Sequence, residues 1–484
     1  AFPATGTVLI DDERIAYTSN TTGTGTLSGL TRGSDNTTAA SHSDAATTYD
    51  ASDYTKWGAS QTGDIVTAPG LWSLDNYGNK LIATIFDGAT FEWDSDGSTS
   101  TRATIIANAP TAAVQTLVST PDRHLVFIGT ETTIGTTTTQ DDMYIRWSDQ
   151  ESIDASTSYA PSAINTAGTQ RLADGTRIVA AIRGRDAIYI WTDTSLFIMR
   201  FVGAPFVFSF QQVGTNCGLI GKNAAVEVDG SAYWMSENGF FRYTGKLESL
   251  ACLVEDYVYD DLNTVPKQHI YAGLNNLFGE VTWFYPGSGA ASNNRSVTYN
   301  FMDSTPERPV WTTGSLARSS WSDSHIFGKP HGTEYDSSAT SDTTVGNTDG
   351  VTIYYEHETG TNQIKAGTAT AIAANIQSGD FDISMGQGGA DLRGDGEYIM
   401  KIRRVLPDFL SQTGNARVTL NLKNYPTDAQ ASSSLGPFTT TTSTDKIDTR
   451  ARARAIALKV DNTSTGQHWK LGTFRLDIQA DGRR

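Results

Sequence analysis

The stretch Asp186-Ala-Ile-Tyr-Ile-Trp-Thr-Asp193, followed by Ser195-Leu-Phe-Ile-Met-Arg200, decides how this chain folds. Two short runs of β-branched and aromatic residues flank a polar break, which reads as strand, tight turn, strand. The same grammar returns at Ser231-Ala-Tyr-Trp-Met235 and Phe240-Phe-Arg-Tyr243, joined through Asn238-Gly239, a strong hairpin signal. Outward from these hairpins, aromatic segments recur: Phe91-Glu-Trp93-Asp94, Tyr144-Ile-Arg-Trp147, Tyr189-Ile-Trp191, Tyr233-Trp234-Met235, Val281-Thr-Trp283-Phe284 and Ile353-Tyr354-Tyr355. The tryptophans at 93, 147, 191, 234 and 283 stand 54, 44, 43 and 49 residues apart. A period of about 40–50 residues is the length of one four-stranded propeller blade. One blade cannot bury both its faces, so the aromatics are read as core that fills the wedge between neighbouring sheets.

Composition agrees with many short strands. The 484 residues are only 38% hydrophobic, with 45 glycines crowding the turns, and Thr136–Thr139 and Thr439–Thr442 are poor in helix formers. The expected class is all-β: a propeller of about six or seven blades, some irregular, over residues 51–367. A β-hairpin module (1–50) precedes it, built on Val8-Leu-Ile10 and Ile15-Ala-Tyr17 around the turn Asp11–Arg14. From 368 to 484 the strands Phe381–Ile383, Tyr398–Arg403, Val418–Leu422, Ala455–Val460 and Leu471–Ile478 alternate without blade spacing, which predicts a sandwich or jelly roll. One helical insertion is predicted near 247–262, where Leu250, Val254, Tyr257, Val258 and Leu262 fall at helical spacing.

Thirty-six basic against 53 acidic residues give a net charge of −17, a poor match for gripping a phosphate backbone. Cys217 and Cys252 are too few for a disulfide framework and form no metal or redox motif, so two reduced, partly buried thiols are expected. No signal peptide is read at the N-terminus. The most apolar stretch, Leu196–Phe210, is broken by Arg200, Gly203 and Pro205 and is not a membrane-spanning helix.

No HExxH, GxSxG, phosphate loop or dinucleotide fingerprint is present. The seven histidines are scattered, and the pair His325 and His331 reads as surface loop before metal site. Asp94-Ser-Asp96-Gly97 resembles the start of a calcium loop but lacks its later ligands, so it reads as a turn. Asp141-Asp142 and Asp260-Asp261 are the available carboxylate pairs, at the frequency chance gives among 53 acids. The Ser-x-Asp-x-Gly-x-Thr-Trp turns of sialic-acid-cleaving propellers are missing; Ser236-Glu-Asn-Gly239 lacks the Asp. Catalytic residues, cofactors and metal ligands are therefore expected to be none.

The one basic run, Arg450-Ala-Arg452-Ala-Arg454, places three arginines on one face of a strand. Ile456, Leu458 and Val460 extend the alternation, so that face is expected to pass from basic to buried. The arginines suit either a strand end reaching solvent or a row that meets an acidic neighbouring subunit, with DNA phosphate a more distant choice.

Several segments are similar to those of bacteriophage tail structural proteins. They include Leu71-Trp-Ser-Leu-Asp-Asn-Tyr-Gly78, Leu81-Ile-Ala83, Gly279-Glu-Val-Thr-Trp-Phe-Tyr-Pro286, Val297-Thr-Tyr-Asn300, Trp311-Thr-Thr-Gly314 and the ending from Trp469-Lys-Leu-Gly472 to Arg484. Gly6–Ile10, Glu13–Tyr17 and Leu30–Gly33 resemble a small β module of phage structural proteins. Taken together, these segments resemble the tail nozzle or tail hub (tail tubular protein B-like) family of short-tailed phages. That resemblance implies a non-enzymatic hexameric ring in the virion tail, assembled in the host cytoplasm. The ring would continue the portal and adaptor channel, contact connector proteins, offer a place for tail fibres, and let DNA pass without specific binding. Six copies at −17 each would carry −102. A negative wall repels phosphates within a screening length of about 8–10 Å. The other readings are a tail-associated propeller that binds or cleaves glycans, and a secreted lectin.

Overall fold

The computed structural model describes residues 2, 4–11, 13–21, 25–34, 39–44, 46, 48–50, 71–97, 102–120, 122–323, 326–336, 351–365, 367–383, 398–425 and 433–482. The chain is all-β and divides into two compact units, Ala1–His357 and Glu358–Arg484.

Beyond the two small sheets of its N-terminal module, the first unit holds six antiparallel sheets, counted among the described residues, each with its strands in chain order. The first comprises Trp72–Tyr77, Lys80–Ile85, Thr90–Asp94 and Thr104–Ile105; the second Ala113–Ser119, His124–Thr130, Tyr144–Trp147 and Gly168–Arg171. The third comprises Ile178–Arg183, Ile188–Thr192, Ser195–Gly203 and Val207–Thr215; the fourth Ala225–Val228, Ser231–Ser236, Gly239–Tyr243 and Leu247–Leu250. The fifth comprises Tyr271–Asn275, Glu280–Tyr285, Arg295–Asn300 and Trp311–Gly314, and the three-stranded sixth Ser320–Ser322, His331–Asp336 and Val351–Glu356. The first strand of each sheet lies against the first strand of the next, from the first sheet to the sixth. Four-stranded antiparallel sheets that succeed one another with their first strands side by side are propeller blades.

Side chains join inner strands that the backbone leaves unpaired. Gln115 Nε2 donates to the Ala181 carbonyl at 2.7 Å while its Oε1 accepts from the Ala181 amide at 2.9 Å. That amide group therefore acts as one rung between the second and third sheets. Asp75 accepts from the Val118 amide at 2.8 Å and pairs with Arg183 at 3.2 Å, linking three sheets. Further out, Trp191, Trp234 and Trp283 are fully buried in one apolar cluster. Trp191 meets Trp234 edge-on at 5.3 Å, and Phe240 meets Trp283 at 4.9 Å. The even spacing of the tryptophans hides a change of strand. Trp93 and Trp147 sit on the third strands of their sheets, whereas Trp191, Trp234 and Trp283 sit on second strands.

The predicted helix over 247–262 is corrected to a strand, Leu247–Leu250, followed by a seven-residue helix, Glu255–Asp261. The strand forms because Phe240–Tyr243 offers an open ladder edge that Leu247–Leu250 completes in register. A tertiary ladder overrides a helical spacing built on a few leucines and valines. Only Val258 of the helix is fully buried, and Tyr257 is 58% exposed. The apolar stretch Leu196–Phe210 forms the long hairpin of the third sheet, with Phe201, Val202 and Phe206 exposed at its tip. Among the described residues, no helix is long and apolar enough to cross a membrane.

The N-terminal hairpin Gly6–Ile10 and Glu13–Tyr17 turns at Asp11, which adopts a positive φ of 50°. Its anchor is Glu13, a buried carboxylate. Glu13 accepts from Arg32 Nε at 2.6 Å, the Gly33 amide at 2.9 Å, the Ala40 amide at 3.0 Å and His42 Nε2 at 2.8 Å. The guanidinium of Arg32, foremost, holds its carboxyl far below the usual carboxylate range. Asp11 and then Glu13 raise the His42 imidazolium above 6.5.

The second unit is a sandwich. One sheet orders Asn375–Gln377, Ala455–Asp461, Ala416–Lys423 and Ser434–Thr440; the other orders Ile447–Ala453, Met400–Leu406 and Arg475–Ala480. Met400, Ile402, Val405, Ala451 and Ala453 of the second meet Val418, Leu420, Ile456 and Val460 of the first in one core. The unit begins ten residues ahead of the 367/368 boundary expected from sequence. The hairpin Asn362–Lys365 and Thr368–Ala371 is tied to the sandwich by Asn462, which bonds Ile372 and Ala374, and by the Gly466 amide on Asn362.

Two predictions follow from these contacts. Trp283→Phe should cost about 0.5–1.5 kcal/mol, the net worth of the indole bond to the Ala224 carbonyl at 3.0 Å, since that carbonyl keeps the Met235 amide as a second donor. Trp283→Ala should cost about 3–5 kcal/mol through the added cavity, both read by urea unfolding. In the N-terminal module, Glu13 is lowered, so its contribution is full above about 4.5 and fades as pH falls. His42 is raised, so its contribution is full below about 6.5 and is lost as pH rises through its elevated value. Exchange protection of the Gly33 and Ala40 amides, corrected for intrinsic rates, should peak between those limits, and Glu13→Gln should abolish the acid limb.

Candidate functional site

The basic run falls on the outer face of the three-stranded sheet of the sandwich. In Ile447–Ala453 the burial alternates, with Ala451 and Ala453 in the core and Arg450 and Arg452 exposed. Small inward residues let the strand sit close on the opposing sheet, and each arginine is forced outward. Arg454 does not continue this row. It lies at the corner where the chain leaves one sheet for the other, its amide donating to the Lys423 carbonyl at 3.1 Å. Ile456, Leu458 and Val460 therefore belong to the other sheet, and the expected single face from basic to buried is corrected to two faces on two sheets.

Pairing brings further cations to Arg450 and Arg452. Lys401 stands directly opposite Arg452, and Leu406 opposite Arg475. A bulge between Ile402 and Arg404 sets Arg403 and Arg404 out of strict alternation, with Arg403 exposed. The face thus carries Lys401, Arg403, Arg404, Arg450, Arg452 and Arg475. Its carboxylates are Asp448, Asp477 and, at the margin, Asp481. Arg452 Nε donates to Asp481 at 2.6 Å, and Arg404 Nε to Asp448 at 2.9 Å. Arg404, then Lys446, hold the Asp448 carboxyl below its usual range. Lys401, Arg403, Arg450 and Arg475 have no carboxylate partner among the described residues. A like-charge pair directly across a ladder, as at Lys401 and Arg452, opposes folding by about 0.2–1 kcal/mol. Beside this face a cleft of about 300 Å³ is lined by Leu435, Phe438, Asp448, Thr449 and Arg450.

The charge of the chain is divided unequally. Residues 1–357 hold 20 basic and 40 acidic side chains, a net −20, and residues 358–484 hold 16 and 13, a net +3.

The other sequence candidates lie apart from this face in sequence and have partners of their own where the structure describes them. Asp94 accepts the Asp96 amide at 2.9 Å in a tight turn that Asn79 braces at Asp96. Asp141 pairs with Arg171 at 2.7 Å, and Asp261 with Arg295 at 3.0 Å. His331 packs between Phe327 and Tyr354, and His325 lies outside the described residues. Burial pushes the thiols of Cys217 and Cys252 up to about 11. Sequence reasoning passed over Lys222, buried with Nζ on the Val114 carbonyl at 3.3 Å, where burial lowers its ammonium to about 8. Among the described residues, no three His, Cys, Asp or Glu gather to hold a metal.

No protein-family model and no curated protein matches the chain. Similar solved structures include BamB from Moraxella catarrhalis, at 12% identity over 60% of this chain and 83% of that one, with a TM-score of 0.31. Saccharomyces cerevisiae Sqt1 is 9% identical over 55% and 69%, with a TM-score of 0.33. The computationally designed Ika8 protein is 8% identical over 73% and 83%, also at 0.33. At such scores the propeller rests on the strand pairing itself.

Substitution should separate the face from the core beneath it. Arg450→Ser and Arg452→Ser should each shift stability by no more than about 0.5 kcal/mol. Ala451→Arg, which buries a charge against Val418 and Ile456, should cost at least about 3 kcal/mol in the same chemical denaturation series.

Proposed function

We propose that this chain is a structural ring subunit of a bacteriophage tail, of the nozzle or hub type found in short-tailed phages. Six copies surround a channel that extends the portal and adaptor and conducts DNA outward. The observation that carries this reading is the net −20 of residues 1–357, the unit that holds the propeller and the N-terminal module. A wall of that sign keeps phosphates moving instead of holding them, within the screening length of salt. The segments that resemble tail proteins support the same reading. Leu71–Gly78 contributes an inner strand, and Gly279–Pro286 with Val297–Asn300 and Trp311–Gly314 contributes three of the four strands of the fifth sheet. These are blade-forming positions, as scaffolding requires. Connector proteins and tail fibres are the partners this role implies, and the virion tail is the place.

Light scattering and particle imaging of the purified chain test the proposal. A closed ring of six copies is the expected result, with antibody labelling at the tail of intact virions. A monomer at every concentration would contradict it. A monomer that also releases reducing sugar from host polysaccharide would support the glycan-cleaving alternative.

A further inference from the structure

We propose that the basic outer face of the C-terminal sandwich docks onto the acidic propeller unit of a second copy of this chain, so that copies join head to tail. This rests on the ring reading and adds which surface meets which.

Three observations point there. The first is the division of charge, −20 on one unit and +3 on the other. Self-association of whole chains at −17 is repulsive on average, so a contact between copies must pair unlike surfaces. The basic face is the place where cations concentrate on a single sheet. The second is that Lys401, Arg403, Arg450 and Arg475 lack carboxylate partners among the described residues, while Lys401 and Arg452 oppose one another across the ladder. Within the sandwich only Arg452 of that pair is compensated, by Asp481 at 2.6 Å. Carboxylates brought by another molecule would compensate the rest. The third is the mixed character of the face. Leu406 is 38% exposed at its end, and Leu435 and Phe438 line the cleft beside Arg450. Charged forks around an apolar depression suit a protein surface, because interfaces join a desolvated apolar centre to a polar rim. The acidic partner is present at the chain's own concentration, whereas the −17 of the whole chain works against a polyanion. Because the two contacting surfaces differ, the contact is heterologous, the kind that closes into rings when the rotation permits.

The test uses the full chain. Its mass distribution is measured at about 0.05 M and about 0.5 M salt, where screening lengths differ about threefold. The native protein should be oligomeric at low salt and dissociate markedly at high salt. The double variant Arg403→Glu, Arg450→Glu should weaken association at least about tenfold in Kd at low salt, and Arg403→Lys, Arg450→Lys should restore most of it. The thermal midpoint of each variant is recorded, so that loss of assembly is read only from folded protein. Mixing the charge-reversed variant with native chain should give short capped oligomers, since the variant still offers its acidic unit. If the charge-reversed variant assembles like the native protein, the inference falls and the ring reading stands. If the native chain is monomeric at both salts, the ring reading itself falls. If the variants lose only binding to a DNA duplex while their mass is unchanged, the face is a polyanion site and the inference is overturned.

Discussion

The propeller depends on a constraint that each tryptophan carries into the core. A buried indole brings an N–H that must find an acceptor. Trp147 finds it at its own sheet, on the Thr166 carbonyl 2.9 Å away, whereas three later tryptophans reach back to the sheet before. Trp283 of the fifth sheet donates to the Ala224 carbonyl at 3.0 Å, just ahead of the fourth sheet's first strand. Trp311 donates to the Ala251 carbonyl at 2.8 Å, beyond that sheet's last strand. Trp321 of the sixth sheet reaches the Leu274 carbonyl of the fifth at 2.7 Å. Each bond fixes both the gap between two sheets and their relative height. The space must also be cleared. Trp321 lies on Gly273, where a Cβ would fall 2.6 Å from its ring. Trp191 marks the limit of this device, for its N–H has no acceptor among the described residues and its ring is held by packing, edge-on to Trp234 and tilted against Tyr189.

What the sequence showed follows from how local the signals are. Strands and hairpins could be read from alternation and turn residues within about ten positions, so Asp186–Arg200 and Ser231–Tyr243 folded as written. The helix near 247–262 could not, because its first four residues were claimed by the open edge at Phe240–Tyr243. Neither residue stretch reveals that competition alone. The blade period survived although the tryptophans change strands between Trp147 and Trp191, because aromatic spacing reports sheet size and not strand identity.

The basic site was half visible for a similar reason. Arg450 and Arg452 are neighbours in sequence, and their shared face follows from period two alone. Lys401 and Arg403 lie some fifty residues earlier and Arg475 more than twenty later, and only the pairing of Met400–Leu406 with both flanking strands gathers them. Arg454 was misplaced because a strand that switches sheets keeps its alternation in sequence while its faces exchange partners. The unequal charge of the two units was present in the composition all along. It became a statement about surfaces only when the boundary at 357 divided the count.

That division constrains how copies of the chain meet, whatever their number. A unit at −20 repels its own kind. Any symmetric contact that sets propeller against propeller must neutralise carboxylates on both sides at once, and a contact of sandwich against sandwich sets cations against cations. A head-to-tail contact avoids both conflicts. It leaves most of the acidic excess of residues 1–357 free of the contact, and it concentrates the attraction on the cations of one sheet. Both units carry both signs of charge, but the acidic excess lies wholly in residues 1–357 and a small basic excess in residues 358–484, so unlike surfaces are available to a contact between copies.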